Sequence, residues 1–443
     1  MTIAFALTLL AVLSSVARAE SMPAGMTVSS YTVVALEASP EVRSAEDAYK
    51  AADSALKGQT AAMMLPTLAF TYNQYPYGHN PLDSYRYEHG RFAPRLGQAV
   101  TTANWNLFNN FRDLQKARAA VAARRAARSA LTAAKQDRAF AAISAFYELD
   151  SKTELLGVAQ QNLKDQKQQY DQSLDLYKHG MKSLADLLKS ETDWRSSELR
   201  IIEAESARSR ALVEFNALID REALEEAALT VNLQAGATDL PLVGDDFNRA
   251  LGLRPEVAKA REEFERARIA VEQAVEGFLP SARVDATWSR TRYPDYPGAG
   301  STGPNPNYNV GVALTLPVGF NGFTQGWAIS AARAEKRRAR QARRSVERSV
   351  KSEVYNVYID LEKASKSYSV ALLKEEIAAK SLELVGRQYQ QGAADAIRMN
   401  QAQNDYLNAR VERALALHDI FINRARDMRP VGVPLWRTIN HRR

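Results

Sequence analysis

The chain is written twice, and no other property constrains its fold as much. The stretch "PEVRSAEDAYKAADSALKGQTAAMMLP" at 40–66 is answered by "PEVAKAREEFERARIAVEQAVEGFLP" at 255–280, each closing on a proline. Phe108-Asn109-Asn110-Phe111 is answered by Phe320-Asn321-Gly322-Phe323, and Tyr177-x-x-Gly180 by Tyr389-x-x-Gly392. The order of features is the same in both halves, so the repeat is a whole structural unit of about two hundred residues. Between the copies, "LTVNLQAGATDLPLVGDD" interrupts helical periodicity with Gly, Pro and Asp, and a junction is expected over 229–254.

Within each unit the hydrophobic period changes from helix to strand and back. The helical segments 20–66 and 255–280 are followed by strand pairs at 67–107 and 281–319. In the second pair Ala282, Val284, Ala286 and Trp288 alternate with Arg283, Asp285, Thr287 and Ser289, and Tyr308, Val310, Val312, Leu314 and Leu316 alternate with Asn309, Gly311, Ala313 and Thr315. Period two means strand. The first pair reads the same way, with Ala99, Ala103, Trp105 and Leu107 alternating with Gln98, Thr102, Asn104 and Asn106. Loops rich in Tyr, Pro, Gly and Asn, roughly 74–96 and 293–307, join each hairpin.

A tilted strand of about ten residues spans roughly 25 Å, the apolar height of an outer-membrane barrel. Tyr72, Tyr75, Trp105, Trp288, Tyr293 and Tyr308 near the strand ends suit an aromatic girdle, and Arg283 and Asp285 on the other face favour a watery lumen. A sheet packed on the helices in water is the competing reading. Four strands cannot close a transmembrane barrel, and an open edge in lipid leaves backbone groups unsatisfied, so the strands are expected to enter a barrel shared between copies.

From Asp113 to Tyr177 there is no proline and a single glycine, and a helix of about 65 residues is roughly 100 Å long. Ala142, Leu149, Leu156, Leu163, Tyr170 and Tyr177 fall seven apart; Val354, Leu361, Tyr368, Glu375, Leu382 and Tyr389 repeat them, with only Glu375 breaking the apolar seam. Sustained heptads predict coiled-coil packing between long helices. The helical hairpins are expected over 108–228 and 320–428, with tips at 177–186 and 389–398 and a tail at 429–443. Gly180 and Gly392 suit helix ends, and Ser183 and Asp395 suit the caps of the returning helices. Turn chemistry accounts for these four residues, and contact with a partner is the second reading.

Composition narrows the chemistry. The chain has no cysteine, which excludes disulfides, thiol catalysis and thiolate metal sites. Five scattered histidines form no ligand spacing, and no nucleophile constellation or phosphate-binding glycine loop is present, so neither an enzyme nor a metal or cofactor is expected. The opening "MTIAFALTLLAVLSSVARAE" reads as an export signal, 1–19, cut after Ala19, although no Lys or Arg precedes its apolar run. Much of the net charge of +7 comes from two clusters: Arg112, Lys116, Arg118, Arg124, Arg125 and Arg128, and Arg333, Lys336, Arg337, Arg338, Arg340, Arg343 and Arg344. These are solvated helix faces or attract anionic headgroups. Export and the lack of aromatic platforms argue against nucleic acid.

Tyr177-x-x-Gly180-x-x-Ser183-x-x-Asp186-Leu187, its echo Tyr389-x-x-Gly392-x-x-Asp395, and the paired Phe-Asn-x-Phe turns resemble the TolC-type outer-membrane efflux family, over almost the whole chain after the signal. The resemblance implies a mixed α/β membrane protein: a homotrimer with a twelve-stranded barrel, four strands per chain, in the outer membrane lipid of a Gram-negative cell, continued by a helical periplasmic tunnel. Its tips would meet a periplasmic adaptor protein and an inner-membrane transporter, making an exit duct for efflux or type I secretion. Gly180, Met181, Ser183, Leu184, Gly392, Ala393 and Asp395 are the implied adaptor contacts; Asp186, Tyr389, Arg398 and Gln401 are the implied aperture gate. Arg398 and Gln401 stand where the family pattern leads one to expect acids. Arg398 either pairs with Asp186 or rings the aperture and favours anions. An exported coiled-coil scaffold or adhesin that conducts nothing is the reading from another class.

Overall fold

A computed structural model describes residues 25–75, 96–231, 243–292, 306–316, 321–391 and 393–428. The expected signal 1–19, the tail 429–443, Tyr293, Phe320 and Gly392 lie outside the described residues.

Local capping sets the entry of the chain. Helix α1 (Val28–Ala38) begins at Thr27, whose hydroxyl accepts the Ser30 N–H. Helix α2 (Pro40–Met64) begins at Ser39, whose hydroxyl accepts the Val42 N–H, with Pro40 in the first turn where a missing N–H costs nothing. Strands β1 (Thr67–Tyr75) and β2 (Leu96–Asn109) follow. Strand β2 runs past the expected limit of 107 because a bulge between Asn106 and Phe108 absorbs a residue. Asn110 and Phe111 then both take left-handed backbone (φ 57° and 56°), which turns the chain downward. The Asn109 side chain accepts the Asp113 N–H at 3.2 Å, and the Phe108 and Phe111 rings meet edge to face at 5.0 Å.

Helix α3 (Arg112–Lys178) has 67 residues and α7 (Asn321–Gln390) has 70, each about 100 Å long. They return through α4 (Leu184–Leu218) and α8 (Ala396–Met428). Between the repeats lie α5 (Val243–Leu253) and α6 (Pro255–Glu276), and between α6 and α7 lie strands β3 (Ser281–Arg292) and β4 (Pro306–Thr315). The junction expected over 229–254 therefore holds a helix. Burial explains it: Ala250 packs against Val257, Val350 and Val354, and tertiary packing sustains a short helix that its glycines disfavour.

The four strands form one antiparallel sheet in the order β1-β2-β3-β4, so the central pair joins the two repeats. The register pairs Leu68 with Ala103, Trp105 with Val284, Trp288 with Tyr308, and Val284 with Val312. One face is accordingly apolar, and Leu68, Phe70, Tyr72, Val310, Val312 and Leu314 on it are exposed. The other face carries Arg283, whose guanidinium meets Asp285 at 2.8 Å.

Halfway down the long helices sits the main core. Tyr31 stacks on Phe215 at 4.0 Å, Phe146 leans on both rings, and the Tyr31 hydroxyl donates to the Phe215 carbonyl at 2.8 Å. Burial raises the Tyr31 pKa. The heptad seam is deepest here, at Ala142, Leu149, Val354 and Leu361, and grows wetter toward the tips, where Tyr177 is exposed. Glu375, the acid in the seam, is met by Arg413 of α8 at 2.9 Å. The first basic cluster is spent on its neighbours: Arg118 pairs with Glu272, Arg124 with Asp53 and Arg125 with Glu262. In the second, Arg338 and Arg343 pair with Glu335 and Glu347 of their own helix.

Candidate functional site

The first tip is built by backbone bonds that glycine permits. At the end of α3 the Met181 N–H donates to the Leu176 carbonyl and the Gly180 N–H to the Tyr177 carbonyl, both at 2.9 Å, with Gly180 at φ +72°. This 6→1 and 5→2 pair is the Schellman arrangement, and its left-handed residue favours glycine. Ser183 then caps α4: its hydroxyl accepts the Asp186 N–H at 3.2 Å and donates to the Asp186 carboxylate at 2.7 Å. That second bond holds the Asp186 carboxyl below its ordinary range. At the second tip the Ala393 N–H donates to the Gln388 carbonyl at 2.8 Å, and the Asp395 carboxylate caps α8 by accepting the Arg398 N–H at 2.8 Å. The turn reading of Gly180, Ser183 and Asp395 thus has direct geometric support.

The surface of the tips is apolar as well as small. Met181 is 68% exposed and Ile397 75%, with Leu184 and Leu188 also bare. Ile397 and Leu188 were not singled out in the sequence, because each sits in a helical turn where an apolar residue reads as core.

Within one chain three of the implied gate residues have other partners. Asp186 bonds Ser183, Gln401 donates to Asp405 at 2.9 Å, and Tyr389 lies under the Lys182 ammonium, 5.6 Å from its ring centre. Among the described residues neither Tyr389 nor Arg398 bonds Asp186. Lys182 also donates to Ser173 at 2.9 Å, and Ser190 donates to the same hydroxyl at 3.0 Å.

Residues 32–220 and 247–426 match the model of the outer membrane efflux protein family, one copy per repeat. The chain belongs to that family. It covers 92% of itself and 86% of the CmeC outer membrane channel of Campylobacter jejuni at 15% identity, with a TM-score of 0.77. The MtrE outer membrane channel of Neisseria gonorrhoeae, in a structure described as its open state, is similar at 19% identity and TM-score 0.77, with 92% of this chain and 89% of that one covered. The outer membrane protein VceC of Vibrio cholerae is similar at 16% identity and TM-score 0.76, with coverage of 91% and 96%. No curated protein matches the chain. Membership makes this efflux protein an outer-membrane transport duct and not an enzyme, with strands in the outer membrane of a Gram-negative cell and long helices in the periplasm. Among the described residues no helix is long and apolar enough to cross a membrane.

Proposed function

We propose that three copies of this efflux protein close one twelve-stranded barrel, and that the resulting tube passively conducts substrates handed over by a periplasmic adaptor and an inner-membrane transporter. The observation that carries the reading is the sheet: among the described residues it has four strands, is open at β1 and β4, and exposes an apolar face. Neither edge is tolerable in lipid unless another copy pairs with it. The helices carry matching needs. Leu199 and Ile202 on α4 are bare, and Val370, Leu373 and Ile377 on α7 line a groove of about 750 Å³. Such stripes support packing between neighbouring copies at coiled-coil spacing.

Two experiments test this. Replacing Val312 by Lys on the apolar face costs about 2–4 kcal/mol near the bilayer centre and impairs insertion, while Lys at Asn309 is tolerated; heat-modifiable trimers from detergent-extracted outer membranes report both, and the reverse ranking would refute the strand faces. Gly180→Trp with Gly392→Trp is expected to abolish export with trimers intact, because a large side chain blocks a helical hairpin approaching Met181 and Leu184. Normal export by that double variant removes the adaptor assignment.

A further inference from the structure

The second basic cluster is ordered along α7. Arg333, Arg337, Arg340 and Arg344 are spaced four, three and four apart, which sets them on one face of the helix, and all four are exposed. Among the described residues none of them meets a carboxylate, whereas Arg338 and Arg343, on other faces, pair with Glu335 and Glu347. Their counterparts in the first repeat are Val121, Arg125, Arg128 and Thr132, so a long helix of this kind forms without the full stripe of charge. Lys351 continues the face seven residues on; the Phe247 ring of α5 lies 5.5 Å from its ammonium, and Ala250 of α5 packs with Val350 and Val354. Helix α5 thus covers the same face lower down. Helices α2, α3, α6 and α7 lie side by side in that order, so three copies make a ring of twelve whose bore is about 20–30 Å across at 8–10 Å spacing. Three copies of α5, each about 10–12 Å thick, would plug that bore. Helix α5 and the arginine face are therefore on the outside of the tube.

We propose that this outer face binds the cell wall, with the four arginines gripping carboxylates of the peptidoglycan peptide stems where the tube crosses the polymer layer. The proposal rests on the trimeric tube read above. Two other sources of negative charge fit less well. Arg333 and Arg344 lie 12 and 23 residues beyond Asn321, the start of α7. The stripe is therefore about 18–35 Å below the strands, outside the Debye length of about 8 Å within which headgroup charge is felt. A neighbouring copy would bring α2, whose Glu46, Asp47 and Asp53 are already paired with Lys135, Lys50 and Lys57. A polymer of carboxylates suits the stripe, because guanidinium takes a carboxylate through two parallel bonds and three stripes per tube bind as one multivalent surface.

Co-sedimentation of the detergent-solubilised full-length protein with purified peptidoglycan sacculi tests the wall contact. The wild type is expected to pellet with the sacculi at low salt and to be released as salt screens the contact. Arg333→Gln, Arg337→Gln, Arg340→Gln and Arg344→Gln together are expected to weaken that binding on the order of tenfold, with trimers and bilayer current unchanged. Amidating the carboxylates of the sacculi is expected to release the wild type, and this decides the matter alone if the fourfold variant does not fold. Wild-type protein that ignores sacculi, or a variant that pellets as the wild type does, overturns the wall contact. A variant that keeps its sacculi but loses binding to phosphatidylglycerol vesicles overturns it in favour of lipid, and one that folds without trimerising overturns it in favour of a neighbouring copy. Wild-type protein that forms neither trimers nor current overturns the tube, and the wall contact with it.

Discussion

Helix α3 is held in two different ways along its length. At its middle, Phe146 and Leu149 enter a dry cluster with Tyr31, Leu212 and Phe215. Near its end, the buried positions are Gln166 and Ser173, facing Gln403, Ser190 and Lys182. The same coiled-coil geometry thus carries a dry girdle and a polar end, and the chemistry of the seam residues makes the difference. Apolar contacts lose free energy whenever they part, while amides and hydroxyls find water as a substitute partner.

The largest expected effect falls at the girdle. Phe215→Ala removes a fully buried ring and is expected to cost about 3–5 kcal/mol, seen as a lower denaturation midpoint of the detergent-solubilised protein. A marginal effect would break the contrast. Tyr31→Phe keeps the stack on Phe215 and deletes one buried hydrogen bond, for a loss of about 1 kcal/mol in the same measurement. At the polar end, Gln166→Leu is expected to change stability by less than about 1 kcal/mol, since water reaching an adjoining cavity can satisfy Gln403. A loss as large as that of Phe215→Ala would show that the lower seam is as rigid as the girdle.

The smallest effect sits between the two zones. His418 is buried on α8, 3.3 Å from Glu154 and 3.7 Å from Asp150 on α3, with Arg413 close by. The His418 hydrogen bond holds Glu154 below its ordinary range, whereas burial pushes Asp150 up against the pull of His418. The signs oppose. A lowered carboxylate stabilises the fold above its unfolded pKa of 4.5 and loses that contribution as pH falls through the folded value. A raised one contributes fully below its unfolded 3.8 and loses that as pH rises through the folded value. Melting curves against pH should therefore steepen on the acid side for Asp150→Asn, where Glu154 acts alone, and flatten there for Glu154→Gln. Identical profiles would place no linked proton at this contact.

Much of the architecture was legible in the order of residues because it is periodic or local. Alternation at 282–288 and 308–314 marks strands, heptads mark the long helices, and Ser183 and Asp395 cap helices through bonds that span three residues. The doubled order of these features sufficed to suggest the family. Asp186 matches a motif, yet its carboxylate turns back to Ser183, and a capping bond of this kind competes with any longer reach.

What the sequence by itself determined is the strands, the long helices and their apolar faces, since backbone geometry turns spacing directly into direction. Only the tertiary structure decided that Gln169, Asp193 and Asn400 meet, that Glu375 finds Arg413, and that residues 243–253 fold as a helix against Val350 and Val354. Amides and acids at seam positions look the same in sequence as those facing water. Their partners lie on helices remote in the chain, and it is the docking of those helices that excludes the water and makes the pairing count.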